Sequence, residues 1–585
     1  MTAQGASSDD RALGLGLSHY RMPQIVESHD STVLYFIRVP DNYCAHPGDG
    51  ADVDFGIIGG MKPIPEDTGS FLKIRTAKPQ MLYEDKTAYL HRLVTSGRSS
   101  CFLARPRRFG KSLMITTLKE IFNGRKELFE DLAIAKTDFE WKRHPVLHFN
   151  FGQCADATGY ENFANSFAAR IKAVLAEVGC GYDPALKPGE NFGAGIDALA
   201  AKAMRGDGEL PVILVDEYDD PVAKVLHDVP FAEKVRALLA TFYDQLKDRT
   251  EKYRFLMITG VSKFTKMSIF STLSNLIDLS FDDEYATMLG YTEAELDEYF
   301  SDRMHAQAEK MGLGYDAYRA ELRRNYNGYR FWRKRGENVY NPVSINLNLA
   351  KCEDEFEYYW SKTGRASMLM NVLKRSDMLA IDPERVAAVS DDDFDVSDLA
   401  NLRAVPMLYQ TGYLTIKDYR AGLFTLCVPD DEVRRDLAKL MTGLIAEKDT
   451  AWAVRLGNLL RIGEWDSFFL GLKSLYAGVP YGSTEETVHE ASFARNLQFL
   501  LAGQGFRMEP ERTTSDGRID IVADHPCGTY VFELKVGRPA AIAMDQATAK
   551  AYAESYLAPG KPVWLLGLSF ERGTRRFVEG VVQRG

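Results

Sequence analysis

The stretch Cys101-Phe102-Leu103-Ala104-Arg105-Pro106-Arg107-Arg108-Phe109-Gly110-Lys111-Ser112-Leu113 decides the fold. Its apolar start reads as a short buried strand, and Met114 to Ile121 reads as a helix beyond it. Strand, tight loop, Gly-Lys-Ser and helix are the context that a phosphate-binding loop requires. Amides at the helix start can hold phosphate oxygens, Lys111 can meet the β- and γ-phosphates, and the Ser112 hydroxyl can ligate Mg²⁺. Arg105 stands where the usual pattern has its first glycine, and an isolated Gly-Lys-Ser also serves as an ordinary helix cap.

A second segment supports the phosphate reading. Leu210 to Val215 is a buried-strand pattern that runs directly into Asp216-Glu217. Such a strand ends at the ligand-binding edge of a parallel sheet. There Asp216 can bind the Mg²⁺ hydration shell and Glu217 can orient or deprotonate an attacking water. The alternative is an acidic loop after a core strand. Together the two segments predict an ATP site with Mg²⁺.

The whole chain has 585 residues, enough for several cores, and its composition is that of a globular protein. A net charge of −11 argues against indiscriminate coating of nucleic acid, though not against a local basic groove. The seven cysteines are scattered and form no C-x-x-C pair, which fits a reducing cytoplasmic setting and no zinc cluster. Neither a signal peptide nor a long apolar span is evident, so membrane insertion is not expected.

Taken in order, residues 1–60 form a polar N-terminal extension, with one strand expected at Thr32–Val39 and loops from Cys44 to Gly60. Asp85 or Thr87 is expected to cap a helix over Ala88–Leu93 or, alternatively, to touch nucleotide. Pro145–Phe151 and Phe255–Gly260 read as further core strands, with helices at 161–176, 193–204 and 231–247 between and around them. This alternation predicts an α/β fold with a parallel sheet. Thr259, Ser262 and Lys263 are candidates for a polar sensor near the γ-phosphate, or for plain backbone caps.

Residues 61–283 resemble the predicted AAA-ATPase-like family. The resemblance rests on M61-K-P-I-P, Phe71, Y83-E-D-K-T87, R105-P-R-R-F-G-K-S-L113, V215-D-E-Y-D219 and T259-G-V-S-K-F264. It implies ATP binding and hydrolysis, with Arg105, Pro106, Arg107, Arg108, Phe109, Gly110, Lys111, Ser112 and Leu113 around the phosphates. Asp216, Glu217, Thr259 and Ser262 take the matching positions. An arginine at 105 is normal there, whereas Glu84 departs from the valine usual in that segment.

Residues 284–480 form a mainly helical middle region, with apolar periodicity at Tyr291–Phe300, Tyr315–Leu322 and Leu437–Leu444. The resemblance continues through Y326-N-G-Y-R-F331 and Y340-N-P-V-S-I345. Arg330 can reach a phosphate or an acidic partner, with packing favoured for the aromatics beside it. Asp391–Asp395 reads as a solvent-facing acidic connector.

A second chemical centre lies in residues 481–585. His489–Leu501 is helical with Glu490 on its early turn; Gly517–Val522 and Thr529–Val536 are strands joined by His525-Pro-Cys-Gly528. A hairpin would bring Asp520 beside Glu533, with Lys535 on the same face as Glu533. Carboxylates that hold Mg²⁺ next to a lysine suit phosphodiester hydrolysis, although Glu-x-Lys also occurs as an exposed strand pair. Glu490 to Tyr556 resembles the PD-(D/E)XK nuclease-like domain, a restriction-endonuclease-like α/β fold. That resemblance matches Asp520, Glu533 and Lys535 to its catalytic core, Glu490 to an acidic metal position and Gln546 to a polar position on the following helix. The function expected is ATP hydrolysis coupled to Mg²⁺-dependent cleavage of DNA or RNA, with a homo-oligomer as the candidate assembly. The alternative is an ATP-dependent switch whose nuclease-like domain binds a partner or nucleic acid without cutting.

Overall fold

The computed structural model describes residues 61–585 except 67–68, 155–157, 264–274, 335, 354, 361–368, 370–371, 374–385, 395–398, 400–401, 447–449, 478–489, 515–516, 558 and 573–575. The expected strand at 32–39 and the loops before residue 61 fall outside these. So do Phe264 and the side chain of Glu490.

The first sheet grows from uninterrupted apolar runs. Strands β1 (Ser100–Ala104), β2 (Val146–Asn150), β3 (Val212–Asp216), β4 (Phe255–Gly260) and the short β5 (Ile277–Asp278) lie in the order β2-β3-β4-β1-β5. All pairs are parallel. Every residue of β3 and β4 is buried, so both faces of these strands are covered and the sequence shows no polar alternation. Helices supply the cover: α1 (Phe71–Thr76), α2 (Thr87–Thr95), α3 (Lys111–Phe122), α4 (Tyr160–Glu177), α5 (Pro188–Met204), α6 (Asp220–Val225) and α7 (Val229–Lys247). Phe192 and Phe242 stack at 4.1 Å between α5 and α7, and Phe149 of β2 meets both rings edge-on. Because the strands are parallel, Ala104, Asn150, Asp216 and Gly260 all end at one edge. There β4 separates the P-loop strand from the acidic strand.

The middle region is mainly helical, as α8 (Glu293–Lys310), α9 (Tyr315–Tyr326), α10 (Pro342–Lys351), α11 (Asp391–Phe394), α12 (Ala404–Thr411), α13 (Asp431–Ala446), α14 (Thr450–Ile462) and α15 (Trp465–Ala477). Local chemistry starts several of them. Thr292 and Glu295 form a capping box at α8, worth about 1 kcal/mol, and Asn341 caps α10 with Pro342 in its first turn. Two antiparallel sheets were not anticipated: β6 (Asn327–Tyr329) with β7 (Val339–Tyr340), and β8 (Val386–Ser390), β9 (Thr415–Arg420) and β10 (Leu423–Cys427) in the order β8-β10-β9. In the acidic run expected as a solvent-facing connector, the described residues 391–394 form α11. Phe394 is fully buried, and Asp393 accepts from the Ser390 amide and hydroxyl and pairs with Arg403 at 2.6 Å. One aromatic in the run is enough to anchor it.

The C-terminal sheet follows helix α16 (Glu490–Gly503). Strands β11 (Arg507–Thr514), β12 (Gly517–His525), β13 (Gly528–Val536), β14 (Val563–Phe570) and β15 (Phe577–Arg584) run in sequence order across it. Only β13 and β14 are parallel, joined through helix α17 (Ala540–Ala549). Strand β11 pairs along β12, so the segment before Gly517 is a strand in its own right.

Candidate functional site

A cavity of about 840 Å³ opens at the carboxyl edge of the parallel sheet. Its walls include Arg107 to Leu113, Gly152, Glu217, Asp219, Val261 and Ser262, and the middle region closes it with Asn346, Trp360 and Tyr413. The volume is in the range of small-molecule sites.

Gly110 sits at φ +84° as α3 begins, a left-handed turn that disfavours a side chain and leaves the first amides of α3 facing outward from the helix. Lys111 is buried, and its ammonium donates to the carbonyls of Arg105 at 2.9 Å and Pro106 at 2.8 Å. Burial pulls its pKa down to about 8, against the opposing pull of Asp216, Asp219 and Glu217. The Ser112 hydroxyl lies beside Asp216, where it and Lys111 counter the upward push of burial on that carboxyl. A hydroxyl and a carboxylate so placed are the hard oxygen donors that Mg²⁺ prefers, so the residues fit that cation.

Glu217 holds φ +52°, which turns its side chain sharply off the end of β3. Burial raises its pKa, and Asp216 and Asp220 add to the rise. Gly152 is what gives it room. A Cβ there would fall 1.7 Å from Glu217 Oε2 and 3.1 Å from Asn150 Oδ1. Asn150 ends β2 opposite Asp216, and its buried Oδ1 has no hydrogen-bond partner among the described residues. Sequence reading missed Asn150. Its only signal was the polar residue at the close of an apolar strand.

Several sequence candidates hold the wall rather than face the cavity. Arg105 is fully buried: its guanidinium donates to the carbonyls of Ala104 and Ser280 and lies 4.2 Å over the Phe331 ring. Burial lowers its pKa to about 10. A role at the phosphates is therefore replaced by one in fastening the loop to the middle region. Pro106 presses against Gly412 there, and Phe109 meets Tyr329 and Phe331 edge-on. Thr259 donates to the Leu103 carbonyl at 2.9 Å and so ties β4 to β1. Lys263 reaches Asp278 at 2.8 Å. Ser262 does line the cavity, with its amide and hydroxyl on Asp219. Arg330 is spent on packing: it lies 3.4 Å over Trp332 and donates to the carbonyls of Lys417 and Arg333. Asp85 accepts from the Thr87 amide and hydroxyl and from the Ala133 amide, the capping alternative. Glu84 lines the far end of the cavity, 3.0 Å from Lys86, which also meets Glu295 at 2.6 Å. Burial raises Glu84 well above the usual carboxylate range.

In the C-terminal sheet the register sets Asp520 across from Glu533, one step beyond the Ile521–Phe532 pair. Asp520 accepts from the Leu534 amide at 2.8 Å. Glu533 is almost wholly buried and accepts from Lys535 at 2.8 Å and from Gln546 of α17. The hairpin and the following helix thus bring together four of the residues the sequence singled out. Among the described residues, no three His, Cys, Asp or Glu side chains converge as a metal cluster. Two carboxylates on facing strands still offer the oxygen donors a divalent cation takes.

These two centres define a P-loop α/β protein with a nuclease-like C-terminal sheet. The family described as predicted AAA-ATPase matches residues 65–270, and the PD-(D/E)XK nuclease superfamily matches residues 488–580. A relative from Azotobacter chroococcum mcd 1, described as an uncharacterized protein in the vnfD 5′ region, is 33% identical over 535 residues. That match covers 89% of this chain and 99% of the relative. The chain belongs to this predicted AAA-ATPase family, and it carries a nuclease-superfamily domain at residues 488–580. Among the described residues no helix is long and apolar enough to cross a membrane.

Proposed function

We propose that residues 61–283 bind and hydrolyse Mg-ATP, that residues 284–480 act as a lid, and that residues 481–585 cut a phosphodiester of DNA or RNA. The observation that carries the first part is that Lys111, Ser112 and Glu217 line one cavity, with the buried Asp216 beside Ser112 and Lys111. Lys111 would exchange its two loop carbonyls for phosphate oxygens, and the α3 amides would complete the cradle. Mg²⁺, held by Ser112 and through Asp216, would screen charge on the phosphates. Glu217 would take the proton of the attacking water, with Asn150 orienting that carboxylate. Burial raises the pKa of Glu217, which favours it as a proton acceptor beside the phosphate loop.

In the C-terminal domain Asp520 and Glu533, with Glu490, would hold a divalent cation that activates water. Lys535 would then leave Glu533 for the scissile phosphate, while Gln546 keeps the carboxylate oriented. A second reading, a switch that binds without cutting, is favoured by one contact set: Lys535 and Gln546 both engage Glu533 Oε1. Single- and double-stranded DNA and RNA, incubated with Mg²⁺ or Mn²⁺ with and without ATP, distinguish the two. Cleavage lost in both Asp520→Ala and Glu533→Ala, with ATP turnover kept, supports the nuclease. No cleavage of any substrate, with ATP turnover present, supports the switch.

A further inference from the structure

Helix α13 borders the nucleotide cavity at one end and packs along its length on α16 of the C-terminal domain. Its first turn is capped by Asp430, which accepts from the Val433 amide at 2.9 Å. Glu432, 1% exposed, turns back toward the nucleotide cavity. It accepts the Trp360 amide at 2.9 Å and the Ser344 hydroxyl at 2.7 Å, and Trp360 itself lines the cavity. One turn on, Asp436 accepts from the hydroxyl of Tyr413, another cavity wall, at 2.8 Å. Burial raises both carboxyls, and the charge of Arg108 in the P-loop is among the groups that hold Glu432 down. The cavity wall is thus tied to one end of this helix by hydrogen bonds to buried groups, which are costly to break singly.

The same helix then runs about 24 Å along its axis. It packs on α16, where a Cβ at Gly503 would lie 3.2 Å from the Lys439 amide nitrogen. Backbone therefore approaches backbone, with no long side chain to absorb a shift. Helix α16 lies in turn against β11, β12 and β13, and its Phe493 stacks on Phe570 of β14 at 4.0 Å. Strand β13 carries Glu533 and Lys535, and α16 begins with Glu490.

We infer that α13 transmits the state of the nucleotide cavity to the nuclease-like sheet, with Glu432 and Asp436 as the positioning residues at its cavity end. This rests on the reading of the cavity as a nucleotide site. A ligand that draws on the loop at Arg108, or shifts Trp360 or Tyr413, displaces the first turns of α13 and with them α16. Rigid packed elements carry such shifts as discrete rearrangements rather than damping them.

The test uses the full chain and a slowly hydrolysed ATP analogue with Mg²⁺. Binding is read first by calorimetry, and backbone hydrogen exchange over residues 431–446 and 490–503 is then compared with and without saturating analogue. Wild type is expected to show slowed exchange in both helices. Glu432→Leu and Asp436→Leu keep most of the volume of each side chain, remove its acceptor oxygens and lie outside the cavity lining. They are expected to bind the analogue within a few-fold of wild type yet lose most of the response over 490–503. Asp436→Leu alone decides the matter should Glu432→Leu not fold. Binding by wild type with unchanged exchange in α16 overturns the inference and leaves the nucleotide site standing. A full α16 response in both variants overturns it as well. No binding at all by wild type removes the nucleotide reading itself, and this inference with it.

Discussion

Lys111 and Lys535 each sit among carboxylates, yet they are held in opposite ways. Lys111 donates to carbonyls of its own loop, while the acidic groups around it come from a strand about a hundred residues later. Lys535 donates to Glu533 two residues before it. The first lysine can trade neutral carbonyls for phosphate oxygens without stranding a carboxylate. The second cannot leave Glu533 unless another cation takes its place, because an unpaired buried carboxylate is costly. On the proposed reading, the P-loop cavity would take a ligand as it stands, and the C-terminal site would respond to metal.

The largest expected effect tests the proposed base at the first site. Glu217→Gln should bind Mg-ATP within a few-fold of wild type and lose roughly 10²–10⁴-fold in phosphate release, the usual span for a general base. Turnover at the wild-type rate would move water activation elsewhere. Next come the two lysines themselves. Lys111→Ala should weaken Mg-ATP about 100-fold by calorimetry, the loss of charge-assisted hydrogen bonds worth about 3 kcal/mol. Lys535→Ala should leave ATP affinity alone and tighten divalent-cation binding at Asp520 and Glu533, since it removes a competitor for Glu533. Weaker metal binding in Lys535→Ala, read by Mn²⁺ titration, would break the contrast drawn above.

Gly152→Ala probes the space beside Glu217 and should have a smaller effect. The new methyl displaces the end of a flexible side chain, not backbone, so the melting temperature should hold while turnover falls about tenfold. Unchanged turnover would mean that the carboxylate works from another rotamer. The smallest effect concerns acid. Burial lowers His148 of β2 to about 4, with Lys119 and Arg170 adding to the fall. Between that value and the usual 6.5 the unfolded chain binds more protons than the folded one, so stability falls as pH drops through this window. Denaturant titrations at pH 7.5 and 5 should show a loss about 1–2 kcal/mol greater in wild type than in His148→Leu. An equal loss in both would place the acid sensitivity elsewhere.

The particular residues show which features local sequence can disclose. Gly110, Lys111 and Ser112 were legible because a phosphate loop concentrates its chemistry in a few adjacent positions. Asp216 and Glu217 were legible as candidates because an apolar strand of the parallel sheet runs straight into them. The hairpin of Asp520 and Glu533 was legible because its register follows from two strands and one short turn. Arg105 was misplaced for the opposite reason. Its neighbours Ser280 and Phe331 lie far along the chain, and only their approach turns a phosphate-like arginine into a buried fastening. Asn150 gained meaning only when β2 was set beside β3, and Gly152 only when Glu217 turned into the space it leaves.

The sequence by itself determined the alternation that builds a parallel sheet, the loop that can hold phosphate, and the paired carboxylates of the C-terminal hairpin. All three depend on spacing within a segment and on side-chain chemistry that survives without a fold. The tertiary structure alone decided which arginines line the cavity, where Glu217 finds room, and that α13 lies between the cavity and α16. Those are contacts between segments distant in the chain, fixed by close packing and by the need to satisfy buried polar groups, and no local pattern encodes them.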